Sequence, residues 1–462
     1  MLLQFWGATK TVTGSLHYVE AKGKRFILEC GLYQGHRDEA DTINRNIPVK
    51  HPETLDYLFL SHAHIDHSGN IPTLVKLGFK GKIVTTEATA DLISTMLLDS
   101  AYIHRKDIEY VNKRRKRKGL PPKKPLYTKE DVKNSLKYLL PIQYGEWFNV
   151  SEDIRVIFYD AGHILGSALI LIEIQEDNKK KKLLFTGDLG RKNLPIIRDP
   201  YQVENVDYLI SESTYGGRYH KPYLEAHSLL RDLIDKVYRR QGKIIIPAFS
   251  VGRTQEIVYE IQNLYENNEL PDIPIFVDSP LSVNVTDIFR KHPECYDKET
   301  LQILKNNDNP FGFGRLTYIK DVEESKRLNN IKKPCIIISA SGMCEAGRIL
   351  HHLKNSVCDG RNVILIVGYQ AEGTLGRNLV EKKKRVKIFG EEYERRAEVV
   401  VLNEFSSHAD RKGLIEYAKN CGAEKFFCVH GEIGQIEQFA EALKSFHKEG
   451  VYIPERGDVF EL

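Results

Sequence analysis

Between Ser61 and Gly69 the chain reads Ser-His-Ala-His-Ile-Asp-His-Ser-Gly, which places His62, His64, Asp66 and His67 within six positions. The apolar, β-prone run Tyr57-Leu58-Phe59-Leu60 before it predicts a short buried strand that ends where the cluster begins. Four ligand-type side chains at this spacing cannot all project one way from a regular helix or strand, whereas a tight loop can converge them. Three imidazoles and a carboxylate are ligands that suit zinc. The plain alternative is a histidine-rich surface loop, but 16 His spread over 462 residues rarely pack this way by chance.

Three later stretches share the same context: Asp160-Ala161-Gly162-His163, Phe185-Thr186-Gly187-Asp188 and Phe427-Cys428-Val429-His430-Gly431. In each, an apolar β-rich run delivers a ligand-type residue beside glycine, as at a strand end where side chains converge on a shared site. The pool becomes five His and two Asp, more than one tetrahedral ion accepts. It suits two metals that share a bridging carboxylate and a bridging water, the arrangement that hydrolyses phosphate esters.

The series His62, His64, Asp66, His67, His163, Asp188 and His430 resembles the metallo-β-lactamase fold. Ser211-Glu212-Ser213-Thr214-Tyr215-Gly216, Phe405-Ser406-Ser407-His408-Ala409-Asp410 and Val429-His430-Gly431-Glu432 resemble the motifs of its β-CASP branch, the nucleic-acid-processing nucleases. The resemblance runs from the first strand to the C-terminus. It implies an α/β protein: a metallo-β-lactamase αββα sandwich with an inserted parallel-sheet β-CASP domain.

The resemblance also implies roles. His62, His64 and His163 would hold one zinc, and Asp66, His67 and His430 a second, with Asp188 bridging them. Manganese is an alternative occupant of mixed His/Asp sites. His408 would act as general acid near the leaving oxygen, with Glu212 orienting its imidazole. One position departs from the family pattern: Phe26-Ile27-Leu28-Glu29-Cys30-Gly31 places Glu29 where an Asp usually supports the metal loop without ligating it. The extra methylene puts that support, and with it metal affinity and rate, in question.

Composition is that of an ordinary globular protein, 41% hydrophobic and 28% charged, long enough for two or three domains. Seven Cys without CxxC spacing read as reduced thiols, and no apolar run approaches a membrane span. The expected location is the cytoplasm, with no membrane partner. A net charge of +4 does not by itself establish nucleic-acid binding. Charge is concentrated, however, in Lys113-Arg114-Arg115-Lys116-Arg117-Lys118 with Lys123-Lys124, expected just beyond a helix over 86–110. A solvated helix end and a grip on RNA phosphates are equally good readings of it. Glu381-Lys382-Lys383-Lys384-Arg385 carries the same two readings, and Lys179–Lys182 reads as a hairpin tip.

Strands dominate residues 1 to about 86, whereas strand–helix repeats begin near 211, so the expected domains are 1–210, an insert over 211–385, and 386–462. Val399–Leu402 and Lys425–Val429 are expected to rejoin the first domain. Beyond the insert's strands lie Ser250, Arg253, Thr254 and Gln255, then Ser279, then Ser341 and Gly342. Small and hydroxyl residues at helix starts leave backbone N–H groups open to anions, so these residues are candidate RNA phosphate contacts; ordinary helix caps are the alternative. The loop Gly368–Arg377 is a candidate lid or cleft wall. The expected function is a two-zinc ribonuclease, endonucleolytic and favouring single-stranded RNA in a cleft between domains. A 5′→3′ exoribonuclease is the rival within the class, a non-catalytic RNA-processing scaffold the rival outside it, and a homodimer is an assembly the sequence leaves open.

Overall fold

The computed structural model describes residues 1–35, 37–176, 179–306, 309–371 and 373–462, and only the backbone of Arg37, Asp38 and Leu224. Its strands begin with β1 (Leu2–Phe5), β2 (His17–Ala21), β3 (Lys24–Leu28), β4 (Tyr57–Phe59), β5 (Lys82–Thr86) and β6 (Leu139–Ile142). There follow β7 (Trp147–Asn149), β8 (Ile154–Asp160), β9 (Ala168–Glu176), β10 (Lys179–Phe185) and β11 (Tyr208–Ser211). Next come β12 (Lys243–Pro247), β13 (Ile275–Asp278), β14 (Leu316–Ile319), β15 (Cys335–Ser339) and β16 (Val363–Ile366). The last are β17 (Arg385–Ile388), β18 (Glu391–Glu394), β19 (Glu398–Val401), β20 (Lys425–Cys428), β21 (Val451–Tyr452) and β22 (Val459–Glu461).

The chain divides into two units. The first comprises Met1–Lys192, Asp199–Tyr219 and His408–Leu462; the second comprises Asn193–Arg198 and His220–Ser407. The first unit holds two seven-stranded sheets, ordered β22-β1-β2-β3-β4-β5-β6 and β21-β20-β11-β10-β9-β8-β7. Alternation along the strands builds its layers. Val156, Phe158, Ile170 and Ile172 face a shared core with Leu3, Phe26, Phe59 and Val84 of the other sheet. Their neighbours Ile157, Leu169 and Leu171 point the other way, onto Leu414, Tyr417, Ile436 and Phe439 of the helices Arg411–Cys421 and Ile433–Lys444. On the first sheet, the helix Glu87–Arg117 packs against β5 and β6. This is the expected sandwich.

The second unit is built on a six-stranded sheet, β14-β13-β15-β12-β16-β19, in which every pairing is parallel. Its strands are apolar on both faces, as helix-covered parallel strands must be. Ile244, Ile246, Ile336 and Ile338 enter one core, and Ile245, Ile337, Ile364 and Ile366 the other.

Four sequence expectations are corrected. Ser211–Tyr219 stays with the first unit, because β11 pairs in parallel between β10 and β20. At the far end, Val399–Leu402 does not rejoin the first unit: β19 extends the second unit's sheet beside β16, with Val399 in its core. The chain returns at His408. The basic run Lys113–Arg117 is not beyond a helix but forms the last turns of the helix Glu87–Arg117. Lys179–Lys182 is a ladder segment of β10 paired with β9, and no part of the hairpin tip among the described residues.

Candidate metal centre and proton-transfer dyad

Every ligand candidate lies in the first unit, and each sits where a strand gives way to a turn. β4 ends at Phe59, and Ser61–His64 run as irregular chain into the short helix Ile65–Ser68 that carries Asp66 and His67. β8 delivers the loop with His163, β10 the turn with Asp188, β11 Glu212, and β20 His430. The turn after β10 depends on Gly187. Its φ is +51°, and a Cβ there would lie 2.4 Å from the Ser61 hydroxyl.

The turns bring together two ligand groups, His62–His64–His163–Asp188 and Asp66–His67–His430, with Asp188 also adjoining Glu212 and His408. His62 Nε2 lies 3.1 Å from His64 Nδ1, and His163 Nε2 lies 3.3 Å from that same atom. His67 Nε2 and His430 Nε2 are 3.1 Å apart. Asp188 spans both groups, with Oδ2 3.4 Å from His62 and His163 and Oδ1 3.2 Å from His67. His64 Nδ1 can make one good hydrogen bond with only one of the two imidazole nitrogens that converge on it, and buried Asp188 Oδ1 has no hydrogen-bond partner among the described residues. A cation satisfies that geometry, and five His with two carboxylates are donors of the kind that bind divalent metal.

Electrostatics prepare these groups for metal. Burial, with the charge on His67, pushes His62 down to about 3, and burial likewise holds His64 at about 4 and His163 well below the usual histidine range. These imidazoles are therefore neutral ligands at neutral pH. Burial opposes charge on His67 as well, but Asp188 and Asp66 outweigh it and raise its value, so His67 carries the proton that a dication would replace. Asp188 stays ionised despite burial because His430, His67 and His62 surround it.

Supporting contacts hold the ligands in place. Glu29, wholly buried at the end of β3, accepts from the Ser61 N–H at 2.9 Å through Oε1, and its Oε2 lies 3.4 Å from His67 Nδ1. The longer side chain thus still reaches the metal loop. The Ser61 hydroxyl sits 2.8 Å from His62 Nδ1, and the Thr214 hydroxyl 3.2 Å from His430 Nδ1. Sequence reasoning missed both hydroxyls, although Ser61 directly precedes His62 and Thr214 lies inside the Glu212 motif. It also missed His17, buried under the site between Phe5 and Phe185, which has no signal in the sequence.

Beside the ligand groups, His408 Nδ1 lies 3.0 and 3.1 Å from the two oxygens of Glu212. Glu212 is itself fixed, accepting from Leu189 N–H at 2.6 Å and Thr214 N–H at 3.3 Å. Burial opposes the imidazolium, but Glu212 and Asp188 outweigh it and hold His408 at about 9. His408 Nε2 points to the ligand side, 4.0 Å from Asp188 Oδ2.

Comparison with known proteins identifies the family. Residues 11–248 match the metallo-β-lactamase superfamily, 254–379 the β-CASP domain, and 392–454 the Zn-dependent metallo-hydrolase RNA specificity domain. The chain belongs to the β-CASP branch of the metallo-β-lactamase superfamily. Among its relatives is "Ribonuclease TTHA0252" of Thermus thermophilus, 33% identical, with 92% of each chain covered. Another is an "RNase J-like protein" of Methanocaldococcus jannaschii, 34% identical over the whole of both chains. "Transcription termination factor FttA" of the same organism is 32% identical over 98% of this chain and 70% of its own. An Enterococcus faecalis protein of unknown function shares the fold, with TM-score 0.53 and 15% identity over 100% of this chain and 99% of its own. This β-CASP protein is thus a metal-dependent hydrolase, and among its described residues no helix is long and apolar enough to cross a membrane.

The phosphate candidates fall in the second unit, where their side chains are engaged with neighbouring groups of the protein. Arg253 is 7% exposed and paired with Glu256, one turn along its own helix. The Thr254 hydroxyl donates to Phe249 O at 2.8 Å, and the Gln255 amide to Thr286 Oγ1 at 2.9 Å and Ser250 O at 3.2 Å. Ser279 caps its helix by accepting from Ser282 N–H, and Ser341 accepts from Glu345 N–H. These side chains build the loop ends, as cap residues do. The loop Gly368–Arg377 is anchored rather than free, because buried Gln370 donates to Gly342 O at 2.9 Å. Glu372 of that loop lies outside the described residues.

Proposed function

We propose that this protein is a two-zinc ribonuclease that hydrolyses internal phosphodiester bonds of single-stranded RNA. The observation that carries the reading is the His408–Glu212 pair set against Asp188, the carboxylate common to both ligand groups. A plain metal store needs no protonated imidazole beside its ligands; cleavage of a phosphodiester needs a proton for the departing oxygen. The match to an RNA specificity domain and the ribonuclease names of the relatives support RNA as the substrate.

In this reading His62, His64, His163 and Asp188 hold one ion, and Asp66, His67, His430 and Asp188 the other. Two bound dications supply Lewis acidity toward phosphoryl oxygens and a nucleophilic water at neutral pH. The protein's own groups do the rest. Glu212 accepts from His408 Nδ1–H and so fixes the tautomer and direction of the ring. His408 Nε2 then holds the proton destined for the leaving oxygen. Glu29 steadies His67 and the Ser61 amide, keeping the ligand loop in register. Seven free thiols, six of them buried, fit work in the reducing cytoplasm.

The test is a product-length assay on 5′-labelled unstructured RNA bearing a 5′-monophosphate or 5′-triphosphate, beside a His67→Ala control. Internal fragments from both substrates, absent in the control, are expected. Mononucleotides from the monophosphate RNA alone would make the protein a 5′→3′ exonuclease. No cleavage with zinc or manganese present would point to the scaffold reading.

A further inference from the structure

The helix Glu87–Arg117 has a strongly charged outer stripe that the metal centre does not use. Residues 102–124 contain ten Lys or Arg against two acids, a local +8 in a chain whose net charge is +4. The remainder of the chain is therefore net acidic, and the basic excess is gathered here.

The helix is tied down on one side only. His104, Ile108, Val111 and Arg115 recur at intervals of four, three and four, and this half-buried face carries the returning strap 118–127. His104 packs edge-on against Tyr127, the Asn112 amide exchanges hydrogen bonds with the Lys123 backbone at 2.8 and 2.9 Å, and Arg115 Nε donates to Pro121 O at 2.7 Å. The other face is open. Tyr102, Lys106, Tyr110, Lys113 and Arg117 share it by helical spacing, with Tyr102 and Tyr110 43% and 57% exposed. Lys106 and Arg105 are partnered by Glu109. Among the described residues no carboxylate pairs with Lys113, Arg114, Lys116, Arg117 or Lys118.

A solvated helix end does not call for this arrangement. Cations in the last turn favour the helix dipole, but like charges at i and i+4, as in Lys113/Arg117 and Arg114/Lys118, repel by about as much. A polyanion laid along the stripe relieves that repulsion, and exposed tyrosines between the cations offer faces for base stacking.

The helix also fixes where this surface lies in the first unit. At its N-terminus the Thr86 and Thr89 hydroxyls donate to Gly166 O at 2.7 and 2.8 Å, in the loop that carries His163. With 31 residues, the helix runs about 45 Å from that loop to the basic tip, at about 1.5 Å per residue. The stripe occupies roughly the outer half of that length.

We propose that this stripe is a second RNA-binding surface, which grips the phosphates of the substrate strand about 7–13 nucleotides from the cut, at about 3.4 Å per stacked nucleotide. The inference rests on the ribonuclease reading and adds a length requirement to it. RNAs too short to reach the stripe forgo its contacts.

The experiment compares three proteins: the wild type, Lys113→Glu/Arg114→Glu/Arg117→Glu, and the equally charge-changed control Lys22→Glu/Lys80→Glu/Lys137→Glu, whose exposed sites precede β3, β5 and β6, at the strand ends away from the ligands. Binding is read by fluorescence anisotropy on a 30-nucleotide phosphorothioate RNA, which resists hydrolysis, across a salt series. Cleavage is read as the ratio of kcat/KM on 30-mer and 6-mer RNA. The stripe variant should bind the 30-mer at least about tenfold more weakly near 0.1 M salt, and its log Kd against log salt slope should fall by about 2, at ~0.7 per lost phosphate contact. Its 30-mer to 6-mer ratio should drop while that of the control holds. Equal binding and slope in all three proteins would overturn the proposal, as would an equal loss on both RNA lengths. A stripe variant that loses 30-mer binding while the wild type cleaves neither RNA would uphold the surface and sink the ribonuclease reading alone.

Discussion

Replacing Glu212 by Gln removes one charge from the centre and almost no volume. Glu212 is wholly buried, and both its oxygens face His408 Nδ1 while accepting from the Leu189 and Thr214 amides. Against the cost of burial, Glu212 and then Asp188 raise His408 from 6.5 to about 9, which corresponds to about 3.4 kcal/mol in favour of the imidazolium. In Glu212→Gln burial persists and only Asp188 and the weaker influence of Asp66 remain to oppose it. The imidazole then loses its proton near or below neutral pH, and the glutamine NH2 group faces backbone donors that the carboxylate accepted from. Bound dications would lower His408 in both proteins, so the assay reads the difference between them. A positioned general acid contributes about 10²–10⁴-fold, so kcat at pH 8 should fall about 100-fold or more with metal content unchanged. The defect should shrink at pH 6, where the variant's His408 regains its proton. A substrate whose leaving atom is sulfur, which departs without a proton, should restore most of the rate. An equal defect at both pH values and on the sulfur substrate would refute the proton-transfer role of the pair.

Three further outcomes are expected. Glu29→Gln keeps the bond from the Ser61 amide but replaces the carboxylate oxygen that faces His67 Nδ1, so zinc affinity in a competition titration should fall about 10–100-fold; unchanged affinity would mean Glu29 does not support the loop. Asp278→Ala strands Arg348 and His352, which meet the buried carboxylate at 2.6 Å each, so denaturant unfolding of the second unit should lose about 3–5 kcal/mol; a loss below about 1 kcal/mol contradicts that account. In the metal-free chain, burial holds His17 and His62 at about 3 and His64 at about 4, so only the unfolded chain takes up these protons as pH falls below 6.5. Together they should remove about 3 kcal/mol of stability between pH 6.5 and 5.5. His408 contributes with the opposite sign: its stabilisation is complete below 6.5 and is lost as pH rises through about 9. Metal-free melting temperatures should therefore peak near pH 6.5, and a flat profile from 5.5 to 6.5 would contradict the buried-histidine account.

Much of the centre was legible in the sequence because its ligands sit at strand ends. An apolar run followed by Gly and a ligand-type residue reports its own geometry, so His62, His163, Asp188 and His430 stood out from the local pattern. The parallel sheet of the second unit was equally visible in runs such as Ile244–Ile246 and Cys335–Ile338, which are buried on both faces. Other features depended on distant partners. Nothing local distinguishes a Val399 that extends one sheet from a Val399 that rejoins another; its pairing with β16 decides. Arg253 resembles an open phosphate contact until Glu256, one helical turn away, takes its charge. His17 becomes part of the site's electrostatics only because β2 lies beneath the ligand loop, where burial suppresses its charge. The order of residues along the chain already marks the candidate ligand side chains and the strands that deliver them to turns. Only the tertiary structure decided which of those groups share a low-dielectric site, because convergence, burial and pairing are properties of segments hundreds of residues apart, as His67 and His430 are.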